Sequence, residues 1–267
     1  MDTVKLGNFE VSRFMLGSNP FSGFSHQGTA RDREMEHWYT NERIKEVLRT
    51  AEELGITAVI GRADRHVIRT FMEYWDAGGG MQWSAQTCPG VGPTLKTAQM
   101  AISGGAGAVH IHGGVMDNCL AAGDMSDPIA GIELIREAGL PAGIAGHNPE
   151  VFRWAEREKL PVDYYMCSYY NSARRDRSAE KRPDQKEWFL EEDREAMVEL
   201  IGDLSRPVIH YKVMAAGRND PQEAIPFAVE AMRPQDAICI GVFTKDNPEM
   251  LAEDVRIFEA AWANKRG

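Results

Sequence analysis

The chain has 267 residues, 43 % of them hydrophobic and 26 % charged, with a formal net charge of −10 at pH 7. A negative balance of that size disfavours nucleic acid or an anionic membrane surface as partner, because phosphate backbones and acidic lipids attract basic proteins. No apolar run reaches the ~18 residues of a membrane span, and the mixed, charged opening MDTVKLGNFEVSRF lacks the layout of a signal peptide.

A cytoplasmic protein acting on a small molecule is therefore expected, with a homo-oligomer left open. Cys88, Cys119, Cys167 and Cys239 show no CxxC spacing and read as free thiols.

Along the chain a short apolar run, a polar or Gly-rich turn and an amphipathic stretch recur about eight times. The strand-like runs fall at 14–16, 58–60, 83–85, 108–111, 142–145, 164–167, 208–211 and 237–242. Helical spacing marks 41–54, where Ile44, Val47, Leu48 and Ala51 line one face before Gly55. It marks 127–138, 190–204, 221–232 and 248–262 in the same way.

This alternation predicts a parallel sheet with right-handed crossovers. Eight units in a chain near the usual length of ~250 residues predict an α/β fold, one (β/α)8 TIM barrel over residues 1–267, with an open doubly wound sheet as the rival. Two polar segments, 19–40 and 171–187, are expected as lids or solvated loops over the barrel mouth.

Histidines are the most informative residues. Of seven, five lie at or just past a predicted strand end: His66 in GRADRH, His110 and His112 in AVHIHGG, His147 in GIAGHNP and His210 in PVIHYK. That is the catalytic face of a barrel. Strand alternation turns His110 and His112 inward, with Val109 and Ile111 toward the helices.

Imidazoles converging there hold a divalent metal (Zn, Mn or Fe) or exchange protons with a substrate. His66, His112, His147 and His210 are the candidate ligands. The competing reading for any single one is a hydrogen-bonded structural histidine.

Asn19, Arg62, Asp64, Gln86, Asn148, Tyr170, Asn171, Lys212 and Arg218 share the predicted rim. His66, His112, Lys212, Arg62 and Asp64 are the candidate catalytic set, with Lys212 expected on the same side as His210 and available to an oxyanion or a Schiff base. In GVFTKDNPEML the helix start after the last strand, with Thr244, Lys245 and Asn247, is a candidate phosphate or carboxylate site; ordinary capping by Asp246 or Asn247 is the alternative.

These segments resemble the aldo-keto reductase superfamily over nearly the whole chain. VKLGNFEVSRFMLGS resembles its opening hairpin and first strand, GIAGHNPEVF its fifth-strand segment, YMCSYYNSARR its sixth, and GVFTKDNPEMLAEDV its last strand and cofactor-phosphate loop. The resemblance implies a barrel with an N-terminal hairpin, and NADP as cofactor held in part by Thr244, Lys245 and Asn247.

It also implies a catalytic tetrad that this chain lacks. The Asp position falls on Gly61, with Asp64 as a substitute, the Tyr position on His66 and the Lys position near Gln86 or Thr87. Only the His survives, as His112. The nicotinamide-binding Gln becomes Ser168, and the fifth-strand Ser becomes His147.

Without the Tyr and Lys that protonate a reduced carbonyl, retained scaffold and replaced chemistry are expected: a lyase, isomerase or hydrolase acting on a small carbonyl- or hydroxyl-bearing substrate, such as a sugar derivative, with a metal at the histidines. An atypical NADP-dependent oxidoreductase and a non-catalytic ligand-binding barrel are the alternatives.

Overall fold

The computed structural model describes residues 1–171 and 188–267. A hairpin, β1 (Thr3–Leu6) and β2 (Phe9–Ser12), comes first, turning at Gly7 with φ +65°. β3 (Phe14–Gly17) leads through a 3-10 turn (Asn19–Ser22) to α1 (Thr29–Trp38) and α2 (Asn41–Glu53). β4 (Ala58–Arg62), α3 (Arg65–Asp76), β5 (Gln82–Gln86), α4 (Thr94–Ser103), β6 (Ala108–Ile111) and α5 (Gly113–Ala122) follow. Then come α6 (Ser126–Glu137), β7 (Ala142–Gly146), α7 (Pro149–Arg157) and β8 (Tyr164–Ser168). The chain ends with α8 (Glu191–Asp203), β9 (Val208–Tyr211), α9 (Pro221–Ala231), β10 (Ala237–Gly241) and α10 (Met250–Arg266).

β3 to β10 form a closed parallel barrel in sequence order, sealed where β10 pairs with β3, Ile238 opposite Phe14 and Gly241 opposite Gly17. Both faces of these strands are buried, so they read as continuous apolar runs. Inside lie Met15, Ala58, Ile60, Ala108, Tyr164, Met166, Ile209 and Cys239. Outside, Phe14, Leu16, Val59, Trp83, Val109, Ile111 and Tyr165 pack on the helices.

The hairpin adds Val4, Leu6, Phe9 and Val11 to the inner cluster. Phe9 lies so close over Gly107 that a Cβ there would meet its ring at 2.2 Å. Among the described residues no helix is long and apolar enough to cross a membrane.

The segment 19–40 departs from its expectation as a loop. Met35 and Tyr39 are buried, and the Tyr39 hydroxyl donates to Val242 O at 2.7 Å, so the segment folds as α1 against the strand β10 end. Apart from Asn171, the expected lid at 171–187 lies outside the described residues.

Candidate functional site

A cavity of about 720 Å³ opens at the C-terminal ends of the barrel strands. Its wall includes Arg62 from β4, Gln86 from β5, His112 after β6, His147 after β7, Tyr211 from β9 and the following Lys212. Arg31 of α1 and Asp246 after β10 join them, ion-paired to each other.

His112 is the N-cap of α5. Its Nδ1 accepts the Gly114 N–H at 3.0 Å, and its own N–H donates to Thr87 Oγ1 at 2.8 Å. A nitrogen that accepts cannot carry the ring proton of a neutral imidazole, so Nε2–H is the donor of His112.

His147 has the opposite tautomer. Its Nδ1 lies 2.7 Å from Asp117 Oδ2, while Asp117 Oδ1 accepts the N–H groups of His147 and Asn148, both at 3.1 Å. An ionised carboxylate only accepts, so Nδ1 bears the proton and Nε2 is left as the acceptor. The Tyr211 hydroxyl sits 3.3 Å from that Nε2 and 3.4 Å from Gly146 O.

Gly113 makes the approach possible: a Cβ there would stand 3.0 Å from His147 Cε1 and 3.2 Å from Tyr211 Oη. One imidazole that donates and one that accepts thus face a single cavity.

Arg62 stacks over Phe24 at 4.3 Å, pairs with Asp64 at 3.3 Å and donates to Cys88 Sγ at 2.7 Å. Asp64 itself caps α3 through the Val67 N–H at 2.9 Å, and stands behind the cavity wall as partner of Arg62.

Of the four expected metal ligands, only His112 and His147 share the cavity. His66 is exposed in the first turn of α3, because Asp64 starts that helix immediately after the strand and turns the next residues outward. His210 points to the helix side of β9. It is fully buried, 2.9 Å from the Tyr169 hydroxyl and 3.3 Å from Asp236, which Arg233 also holds at 2.9 Å.

Burial pushes the His210 ring below its usual pKa against the pull of Asp236. Burial alone would raise the Asp236 carboxyl, but its bonds to His210 and Arg233 outweigh this and hold it low. Among the described residues no three His, Cys, Asp or Glu side chains gather as a metal centre.

The expectation that Lys212 follows His210 to one side is also corrected. The strand ends at Tyr211, and Lys212 turns into the left-handed region (φ +58°), which places it on the cavity wall. His110 does look inward, beneath the cavity and fully buried, 3.4 Å from the Tyr164 hydroxyl, and burial pushes its pKa down to about 3.

Thr244, Lys245 and Asn247 are engaged within the chain. Lys245 pairs with Glu34 of α1 at 2.7 Å; Thr244 Oγ1 accepts from Trp38 Nε1 at 3.1 Å; Asn247 Nδ2 donates to Glu253 at 2.7 Å. The Ser168 hydroxyl donates to Tyr170 O at 2.7 Å. Lys245 also lines a second, more open cavity with Arg33, Glu34, His37 and Trp38.

Of the other rim residues, Asn19 and Gln86 line the cavity. Asn148 caps α7, Tyr170 accepts from Asn219, Asn171 N–H donates to Asp193, and Arg218 braces the loop after β9. Asp117, Tyr211 and Gly113 were not legible as site residues. The one available signal was the Gly-Gly start of a helix after His112, which puts Asp117 one turn further on.

No family profile matches this sequence, and no curated protein matches it either. Solved structures do. A proposed aldo-keto reductase from Pseudomonas aeruginosa is 15 % identical with a TM-score of 0.64, covering 98 % of this chain and 94 % of that one. An aldo-keto reductase from Bacillus halodurans in its holo form is 12 % identical at TM-score 0.57, over 98 % and 96 %. A truncated 3-deoxy-D-arabino-heptulosonate 7-phosphate synthase from Thermotoga maritima is 14 % identical at 0.59, over 97 % and 91 %. The fold is thus a (β/α)8 barrel similar to that of the aldo-keto reductase structures.

Proposed function

We propose that this protein is a lyase or isomerase that moves a proton next to the carbonyl of a small, oxygenated substrate. One observation carries the reading: His147 and His112 present complementary tautomers to the same cavity, an acceptor nitrogen backed by Asp117 and an N–H donor fixed by Gly114.

His147 Nε2 takes the proton from the carbon beside the carbonyl. The electron pair of that C–H bond moves toward the carbonyl oxygen, and His112 Nε2–H donates to the oxyanion that forms. Arg62 and Lys212 add positive charge on the same wall. Where the first carbon bears a hydroxyl, return of the proton to the former carbonyl carbon, with the hydroxyl proton passing to the oxyanion, completes an isomerisation. Loss of a hydroxyl group from the next carbon, leaving as water with the proton that His147 carries while the enolate reforms the carbonyl and a carbon–carbon double bond forms, completes a lyase reaction.

A neutral donor suits this task. It polarises the carbonyl without first binding an oxyanion so tightly that the proton cannot return.

The test is NMR-monitored deuterium wash-in from D₂O across a panel of hydroxyketones and 2-oxo acids. Exchange catalysed by the native protein, and lost in both His147→Ala and His112→Ala, supports the reading. Exchange that survives unchanged in both variants removes it.

A further inference from the structure

Two polar atoms inside the barrel stand out. His110 Nε2 on β6 and Ser84 Oγ on β5 are buried and meet no partner in hydrogen-bond geometry among the described residues. Both side chains are fully buried. An orphaned polar atom in a dry interior forfeits the bonds it makes with water in the unfolded chain, so two in one region of the barrel need a physical reason.

The Tyr164 hydroxyl links them. It lies 3.4 Å from His110 Nδ1. Ser84 acts on the same phenol, opposing the rise in pKa that burial causes.

The neighbouring positions leave room. In register, Ser84 stands beside Ala108 and His110 beside Gly143. Bulky branched side chains ordinarily fill a barrel interior, but here the inward neighbours are an alanine and a glycine. Tyr164 lies over the Gly143 backbone, where a Cβ would meet its ring at 2.4 Å.

The chemistry selects an uncharged occupant. Burial alone pushes the His110 ring down to about 3, with no charged side chain acting on it. An ion would leave its hydration shell for no opposite charge.

The occupant must also both donate and accept. If Tyr164 donates to Nδ1, Nε2 carries the ring proton and needs an acceptor; if Nδ1 donates to Tyr164, Nε2 needs a donor. Water serves in either case. A buried water typically makes about three hydrogen bonds, and His110, Ser84 and Tyr164 supply that number.

We propose that the barrel interior beneath the cavity binds a water molecule, held by His110 Nε2 and Ser84 Oγ beside the Tyr164 hydroxyl. This hydration site is separate from the proposed reaction and stands whatever the cavity binds. Gln86, in register with His110, lines the cavity above, so the cavity floor is the route by which this water exchanges.

The experiment is a crystal structure of the full chain at atomic resolution, together with melting curves of the native protein and Ser84→Ala. A density peak about 2.7–3.2 Å from both His110 Nε2 and Ser84 Oγ is expected. Ser84→Ala deletes one hydroxyl without altering the backbone and takes a partner from the water, so Tm is expected to fall by about 2–4 °C.

A dry, orphaned hydroxyl predicts the opposite sign, because deleting an unpaired buried polar group stabilises. No peak, a peak bonded to only one of the two atoms, a direct bond from Nε2 to a protein side chain, or an unchanged or raised Tm in Ser84→Ala overturns the proposal.

Discussion

Asp117→Asn isolates the tautomer argument. The amide oxygen can still accept from the N–H groups of His147 and Asn148, which Asp117 Oδ1 now takes at 3.1 Å each. The amide nitrogen, however, replaces the oxygen that faces His147 Nδ1 at 2.7 Å. An NH₂ group there makes Nδ1 an acceptor and moves the ring proton to Nε2, where it blocks the base.

One charge-assisted bond becomes a neutral one, a loss of roughly 1 kcal/mol. For a domain of this size that lowers Tm by about 2–4 °C. The rate should fall much further, by about 10² to 10⁴, as it does when a histidine base elsewhere is put in the wrong tautomer. Three measurements on one variant suffice: the melting curve, the ¹⁵N spectrum of the His147 ring and the deuterium wash-in rate. A variant whose ring tautomer has switched but whose exchange stays within about twofold of the native rate would refute His147 as the base.

Three further outcomes are expected. Gly113→Ala pushes a methyl to 3.0 Å from His147 Cε1; the helix gains roughly 1 kcal/mol of propensity, offset by crowding, so Tm changes little while exchange drops tenfold or more, on the order of 10- to 100-fold. His110, pushed down by burial to about 3, stays neutral when folded. Its folded pKa lies below its unfolded one, so its contribution is intact above about pH 6.5 and is lost as pH falls toward 3. His110→Leu should flatten that acid limb in denaturant titrations, and an unchanged limb would contradict the burial argument.

Asp254 is the opposite case. Burial, then Glu253, raises its carboxyl to about 7, so ionising it costs stability as pH climbs from about 4 through 7. Asp254→Asn should therefore stabilise at pH 8 and have little effect at pH 4, read as the difference in Tm between the two.

Strands and major helices were readable because doubly buried parallel strands leave short continuous apolar runs and one-sided helices leave a period of 3.6; the predicted runs at 108–111 and 208–211 coincide with β6 and β9. Side-chain direction was readable only where one face alone was apolar. In VHIH the two histidines alternate with Val109 and Ile111, so His110 and His112 were placed inward correctly. In VIHY both faces carry an apolar residue, Val208 and Ile209, and the pattern could not tell that Tyr211 rather than His210 faces the cavity.

Asp117 had no local signature at all, since a carboxylate in a helix reads as surface until the fold brings it to His147. Helix α1 was missed because it buries little more than Met35 within its own span.

The seam of the barrel has a consequence during synthesis. β3 ends at Gly17 and its closing partner β10 at Gly241, so 241 − 17 = 224 further residues must be translated before the two can meet. At ordinary elongation rates that is roughly 10 to 45 seconds. Throughout that interval the first strand has one row of backbone groups unpaired and the apolar Phe14 and Leu16 lack their final packing. A ribosome-bound chain therefore exposes a sticky edge for longest at its oldest segment, and an agent that shields nascent strands would act on residues 14–17 first.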